Sequence, residues 1–199
     1  MEINRSAALA LLHEYTQTPH LIKHALAVEA AMRHYAGIYN EDVERWGFVG
    51  LIHDFDYERY PEITQHARVG AEILRSQGAP EDIVYAVSAH NDAVGVPRTH
   101  LMDKALFAVD ELCGFVTAVA LVKPSKSLDE VDVKSVRKKM KDKAFARNVS
   151  REDLVRGAEE LGVDLDQHIQ NVIDALRSVA PELGLAGTGG AGAAEQPAV

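Results

Sequence analysis

Histidine and aspartate residues recur inside otherwise apolar stretches of this sequence, at five separate places. An aspartate surrounded by leucine, valine and phenylalanine is costly to bury unless it is paired or bound to metal. Imidazole and carboxylate groups together suit ions such as zinc, iron and manganese, whereas sites made only of oxygen suit magnesium or calcium. The residues concerned are His24, His53, Asp54, His66, His90 and Asp110. Their types predict a site for a divalent metal ion.

The adjacent pair His53-Asp54 is the centre of this pattern. Neighbouring residues on a helix point about 100° apart, so both reach one ion only if the backbone bends or the ion lies over the helix end. Three nearby acids, Asp56, Glu58 and Asp92, have two interpretations. They act as a general acid or base beside the metal, or they hydrogen-bond to the ligand imidazoles.

The remaining histidines are weaker candidates. His20 lies one helical turn before His24 on the same face, so either residue could be the ligand. We favour His24, because it lies deeper in the apolar run. Four others are expected to be solvent-exposed, namely His13, His34, His100 and His168.

The elements that must position these residues are all predicted to be helices. Glycine, proline and capping residues divide the chain into segments with helical spacing of apolar residues. Pro19 falls in a first turn, Asn40 is expected to cap the third helix, and Ser150 with Asp153 resembles a capping box. The predicted helices cover about 6–16, 19–36, 41–53, 62–77, 80–90, 103–122, 132–143, 150–161 and 165–179.

Composition sets limits on the function. The chain has 199 residues, 47% of them hydrophobic, and a formal net charge of −9. This charge disfavours general binding to a nucleic-acid polymer or an anionic membrane. The single cysteine, Cys113, can form no intrachain disulfide and is expected to be buried. Because no signal peptide and no stretch of about 20 apolar residues is found, we expect a soluble, cytoplasmic protein.

A basic segment interrupts this acidic chain, with ten lysine and arginine residues between positions 123 and 151. Such a run forms a solvated helix face, or it holds an anionic substrate. In the second interpretation, Lys123 and Lys126 bind phosphate because they follow the Asp110 helix. Arg68, two residues after His66, is a third predicted substrate-binding residue.

The order of the six metal-ligand candidates resembles the HD superfamily of metal-dependent phosphohydrolases. The segment HARVGAEILRSQG, followed by a helix that ends in histidine, is similar to the HDIG branch of that superfamily. The resemblance implies an all-α fold, a compact HD-domain helical bundle with extra C-terminal helices. Residues 1–183 then form one domain, with a core at about 19–125 and a helical extension over 126–183. Residues 184–199, rich in glycine and alanine, are expected to be a disordered tail.

The resemblance also implies a role for each candidate residue. His24, His53, Asp54 and Asp110 match the four ligands of one ion. His66 and His90 match the histidines that hold a second ion in some members, with Asp54 as the bridge. Asp54 and Asp56 are the predicted catalytic residues. The sequence Phe55-Asp56-Tyr57 departs from the namesake motif and, with the lack of a Gly-Tyr-Pro signature, argues against the cyclic-dinucleotide branch.

The implied activity is hydrolysis of a small phosphorylated compound, with nucleotides among the candidates, by water that a metal activates. One or two ions of manganese, iron, cobalt, nickel or zinc would serve. Two alternatives stay open, a di-iron oxygenase built on the same ligands and a non-catalytic ligand-binding protein. The expected partner is a small anionic substrate, without nucleic-acid polymer or membrane, and a homodimer is left open.

Overall fold

The structure is a computed structural model and describes residues 1–187. Within these residues it contains α-helices, two short 3-10 turns and no strand, which confirms the predicted all-α class. The only pairing of strand type in this part of the chain is one isolated bridge between Ser127 and Ala186. The helices are α1 (Arg5–Tyr15), α2 (Pro19–Tyr39), α3 (Val43–Ile52), α4 (Arg68–Ser76), α5 (Glu81–Ala89), α6 (Leu101–Leu121), α7 (Val133–Met140), α8 (Arg151–Leu161), α9 (Leu165–Ser178) and α10 (Ala180–Leu183).

Two helices of 21 residues, α2 and α6, form the centre of the bundle. Helix α6 is nearly all apolar and packs against α2, α5, α8 and α9, while α3 lies between α1 and α2. The cysteine on α6, Cys113, is buried as predicted. None of the helices in residues 1–187 has the length and apolar character needed to cross a membrane.

Helices α2 and α3 approach each other closely at Gly50. A Cβ atom at this position would lie 2.8 Å from the Cα of Glu29 and 2.9 Å from the carbonyl oxygen of Val28. Backbone atoms cannot rotate out of the way, so the contact requires glycine. Because His24 lies on α2 and His53 directly follows α3, this crossing also sets the distance between two of the metal-ligand candidates.

Replacing Gly50 with alanine should therefore force α3 away from α2. We expect the free energy of unfolding to fall by about 1–3 kcal/mol, the usual cost of overpacking a tight core. Urea denaturation of the two proteins measures the change. Gly37→Ala is the matched control, because a Cβ at Gly37 meets no atom within 4 Å. That variant should be as stable as the original protein or up to about 1 kcal/mol more stable. Equal stabilities for both variants would contradict the argument.

The C-terminal helices pack on the middle of α6. A Cβ at Gly157 of α8 would lie 2.7 Å from the Cα of Ala108, so these helices also meet through glycine. From α9, His168 donates a hydrogen bond from Nε2 to the carbonyl oxygen of Ala108, at 2.9 Å, and accepts one at Nδ1 from the hydroxyl of Tyr35, at 2.5 Å. The extension is therefore anchored two residues before Asp110.

The prediction that His168 is solvent-exposed is wrong, because the side chain is completely buried. The spacing of α9 contains the signal that was missed. His168 shares its face with Val172 and Leu176, four and eight residues later, and both are buried. A polar residue on an apolar stripe is buried with it when partners such as Tyr35 are within reach.

Burial of His168 makes stability depend on pH. Desolvation lowers the pKa of this imidazole to about 4, although the Ala108 carbonyl opposes the shift. In the unfolded chain, this histidine has a pKa near 6.5 and is protonated below that pH, whereas in the folded protein it stays neutral until about pH 4. Stability should therefore fall as the pH drops from about 6.5 to 4, by up to about 3 kcal/mol from this residue.

The check on this effect is urea denaturation of His168→Gln between pH 7.5 and 4.5. Glutamine keeps a donor and an acceptor but has no titration in this range. The variant should lose less stability on acidification than the original protein. His13→Gln, at an exposed position, serves as the control and should keep the original slope. A stability difference between the original protein and His168→Gln that is the same at every pH would contradict the prediction.

Two predicted helix starts are corrected by the structure. Helix α4 begins at Arg68 and not near residue 62, because Ala67 has a positive φ of 65°, which an α-helix excludes. Asn40 was expected to cap α3, but it ends α2 in the left-handed conformation with φ 57°. The side chain of Asp42 caps α3 instead by accepting a hydrogen bond from the Arg45 amide.

The predicted disordered tail begins too early. Gly184 ends α10, Leu185 is buried with 2% of its surface exposed, and Ala186 pairs with Ser127. One leucine among the small residues gives this segment enough apolar contact to pack. The remainder of the predicted tail, residues 188–199, lies outside the described residues.

Candidate metal centre

The metal-ligand candidates converge from five separate elements of the bundle. His24 comes from α2, the 53–54 pair follows α3, and His90 ends α5. His66 lies in the turns before α4, and Asp110 lies in the middle of α6. The alternative ligand His20 is exposed and belongs to neither group of converging donors. The structure therefore brings together all six residues that the sequence singled out.

The first group joins α2, the end of α3 and α6. Its donor atoms all lie within 4.8 Å of one another and belong to His24, His53, Asp54 and Asp110. The Nε2 of His24 lies 2.9 Å from Oδ1 of Asp110, and the Nε2 of His53 lies 3.4 Å from the same oxygen. The two Nε2 atoms are 3.3 Å apart. This spacing lets all four side chains face a single ion.

The second group shares Asp54 with the first. The Nε2 atoms of His66 and His90 lie 3.0 Å and 3.1 Å from Oδ1 of Asp54, and 3.3 Å from each other. The chain leaves α3 at Ile52 and continues through turns, so His53 and Asp54 do not diverge as they would inside a helix. Asp54 can thus contribute to two ligand groups at once.

In three of the histidines, the second ring nitrogen, Nδ1, already has a hydrogen-bond partner. The Nδ1–H of His53 donates to the Gly50 carbonyl at 2.8 Å, and that of His90 donates to the Val87 carbonyl at 2.6 Å. The Nδ1 of His66 lies 2.9 Å from Oδ1 of Asp56. A hydrogen on Nδ1 leaves the lone pair on Nε2, and the hydrogen bond of Nδ1 orients the ring so that Nε2 faces the cluster. Metal-binding histidines are held in this way.

The negative charges of the aspartates in the cluster are balanced by positive charge on the histidines. Burial disfavours the imidazolium form of His53, but the carboxylates of Asp54 and Asp110 outweigh it and raise the pKa to about 9. Burial of His66 is likewise outweighed by hydrogen bonds to Asp54 and Asp56, and its pKa is raised to about 10. These positive charges hold the pKa of Asp54 well below its usual value despite its burial. A divalent cation placed among the same atoms would serve the same purpose, so the donor set fits a metal.

Asp56, predicted to be catalytic, does not reach the reaction site. Its side chain is fully buried, and its Oδ2 accepts hydrogen bonds from the amides of Ala67 at 3.0 Å and Gly70 at 2.9 Å. Its other oxygen holds His66. The geometry supports the alternative interpretation, in which Asp56 positions a ligand. Glu58 has a different role again, since it accepts hydrogen bonds from the backbone at the start of α2.

A cavity of about 440 Å³ opens over the cluster. Tyr57 and Ile63 contribute apolar surface to its lining, and Glu111 and Gly114 of α6 and Asp153 of α8 line it as well. Cavities of this size hold small molecules. In the described part of the chain, no lysine or arginine lines it.

The three predicted phosphate-binding residues are therefore not confirmed. Arg68 is exposed at the start of α4 and does not line the cavity. Lys123 follows Asp110 by 13 residues, which along a helix amounts to about 20 Å. Lys126 is exposed and lies still further along the chain. Proximity in sequence misled the prediction, because a long helix carries its two ends to opposite sides of the bundle.

Two cavity residues were missed at the sequence level. Glu111 is desolvated beside Asp110 and Asp153, and these effects raise its pKa to about 7. Its position next to Asp110 in an apolar stretch could have singled it out. Asp153 was interpreted only as a helix-capping acid, and no sequence signal places α8 beside the cluster.

The fold and the cluster define an α-helical domain with a histidine–aspartate cluster that could hold a metal ion. Residues 21–114 match the model of the HD domain family, described as "HD domain". This match agrees with the resemblance found in the sequence, and the matched residues include all six metal-ligand candidates.

Two curated relatives are both named ribonuclease Y. The protein from Lawsonia intracellularis (strain PHE/MN1-00) is 28% identical over 92 residues, which are 46% of this chain and 18% of the relative. The protein from Parafrankia sp. (strain EAN1pec) is 31% identical over 123 residues, which are 60% of this chain and 23% of the relative. The chain thus spans less than a quarter of either relative. No solved structure matches the chain.

Proposed function

We propose that this protein is a metal-dependent phosphohydrolase that acts on a small phosphorylated compound, with nucleotides among the candidates. The observation that carries the proposal is the sharing of Asp54 between two groups of histidine ligands at the floor of a cavity. Paired sites of this kind suit displacement at phosphorus. The match of residues 21–114 to the HD domain family supports the same class of reaction.

The residues of the site have different roles in the proposed reaction. Divalent ions held by the six ligands would supply Lewis acidity, which activates water and neutralises charge on phosphate. Water adds to phosphorus, the bond to the ester oxygen breaks, and the leaving alcohol carries away a proton. Asp56 keeps His66 oriented through its hydrogen bond, and Tyr57 and Ile63 add apolar surface to the cavity wall.

A small substrate fits the cavity better than a polymer. Nucleic-acid backbones are followed by rows of lysine and arginine, and none lines this cavity within the described residues. The names of the two relatives nevertheless favour a second candidate, cleavage of a phosphodiester bond in RNA. The test of the function therefore includes RNA.

The experiment begins with elemental analysis of protein purified without added metal. We expect one or two divalent ions per chain. Phosphate release is then measured with p-nitrophenyl phosphate and nucleoside monophosphates, and cleavage of the phosphodiester bond is followed by chromatography with a cyclic nucleotide and a short RNA. Turnover of the small esters supports the proposal, and turnover of RNA alone supports the second candidate. Bound iron with oxygen consumption and no phosphate release would indicate an oxygenase, and bound metal without any turnover would indicate a ligand-binding protein.

A further inference from the structure

Glu111 is a cavity carboxylate that belongs to neither ligand group. It lies on the same face of α6 as Asp110 and Gly114, and all of them line the cavity. In the described part of the chain, its side chain has neither a hydrogen bond nor an ion pair. Its donor atoms are outside the two groups that could hold a metal. The site described above therefore gives Glu111 no partner.

The other acids of the cavity wall are already balanced. Asp92 pairs with Arg98 at 2.6 Å and with Arg156 at 2.5 Å. Asp153 pairs with Arg156 at 2.6 Å. Asp54 and Asp110 face the histidines. A partly buried charge is costly without a partner, so a cation from outside the chain would stabilise the carboxylate of Glu111.

The cavity has room for that cation beside the cluster. A Cβ at Gly114, one turn beyond Asp110, would meet no atom within 4 Å, so the space continues along α6 past Glu111. Glu111 follows Asp110 directly, and adjacent Cα atoms are about 3.8 Å apart. Because Asp110 and Glu111 also line the same cavity, a small ligand in it can contact both the cluster and Glu111.

We propose that the substrate class is a small phosphate monoester with an ammonium group, whose phosphate lies at the histidine–aspartate cluster and whose ammonium pairs with Glu111. The inference rests on the proposed phosphohydrolase function. It also disfavours polyphosphates, since no lysine or arginine of the described cavity wall is available for additional phosphates.

Three probes of nearly equal size test the class, because they differ in the group at the end of a two-carbon unit. O-phosphoethanolamine ends in an ammonium, 2-hydroxyethyl phosphate in a hydroxyl and 2-phosphoglycolate in a carboxylate. The order of kcat/KM for phosphate release should be ammonium, then hydroxyl, then carboxylate. A hydrogen bond to a charged partner predicts about a 10- to 100-fold preference for ammonium over hydroxyl.

Glu111→Gln is the decisive variant, because it keeps the shape and removes the charge. The ratio of kcat/KM for the ammonium probe to that for the hydroxyl probe should fall about 10- to 100-fold. Glu72→Gln, which removes an exposed charge on α4, should leave the ratio as it is. An equal loss with all three probes would overturn the inference, because it would make Glu111 a group needed for the reaction itself and not for recognition.

The outcomes separate the inference from the proposed function. Hydrolysis of p-nitrophenyl phosphate without a preference for the ammonium probe overturns the inference alone. If no ester is hydrolysed, the proposed function fails, and calorimetry with the metal-loaded protein still ranks binding of the three probes. A preference for ammonium that Glu111→Gln removes would then support recognition at this site, and equal affinities would overturn it. Where turnover occurs, competitive inhibition constants against p-nitrophenyl phosphate give the same ranking.

Discussion

Asp54→Asn is expected to empty both ligand groups and to lower phosphohydrolase turnover by about 10³-fold or more. The carboxylate of Asp54 lies within hydrogen-bonding distance of His66 and His90 and also belongs to the group of His24 and His53. Asparagine has nearly the same shape but no charge. Two ions would therefore lose a shared anionic ligand through one substitution, at little cost in packing.

The measurement is metal content by elemental analysis, followed by phosphate release with p-nitrophenyl phosphate. Circular dichroism should show unchanged helix content, because the substitution keeps the size of the side chain. Asp129→Asn is the matched control at an exposed position away from the cavity, and it should keep both metal and activity. Stoichiometric metal in Asp54→Asn would refute the assignment of this residue as a shared ligand.

The sequence was sufficient to predict the fold class and the six converging donors. Each donor stood in a stretch of sequence that was otherwise apolar, and a buried charge in such a setting indicates a partner. Asp110 illustrates the point, because it lies among leucine, valine and phenylalanine residues of α6. We could predict that the donors converge without knowing which helices pack together, because their order along the chain already resembled that of the HD superfamily.

The surroundings of the site were less predictable, because they depend on distances across the bundle. Asp56 has the sequence context of a catalytic acid, yet the backbone amides of Ala67 and Gly70 hold it away from the cavity. Lys123 is near Asp110 in the sequence and far from it along the helix. Conversely, Asp153 is remote in the sequence and lines the cavity, because α8 crosses α6 at Gly157. Spacing within one helix is readable from sequence, but the crossing of two helices is not.

His66→Ala should remove one of the two ions and leave the other. His66 belongs only to the group that it forms with Asp54 and His90, whereas the group of Asp110 keeps all four of its donors. Elemental analysis should therefore give about half the metal content of the original protein. Turnover should fall by about 10²-fold or more, since one source of charge stabilisation at phosphate is lost. A protein that binds a single ion through the first group would lose no metal at all.

Asp56→Asn gives a graded version of the same test. Asparagine keeps the carbonyl oxygen but loses the charge that orients and polarises His66, and such losses weaken metal binding by about 10- to 100-fold. Titration of the metal-free protein should show one site weakened by this amount and the other nearly unchanged. Because Asp56 does not line the cavity, an equal weakening at both sites would mean that the substitution disturbs the turns of residues 53–67 as a whole. Weakening confined to one site would establish that the two groups bind ions separately and that Asp56 acts through His66.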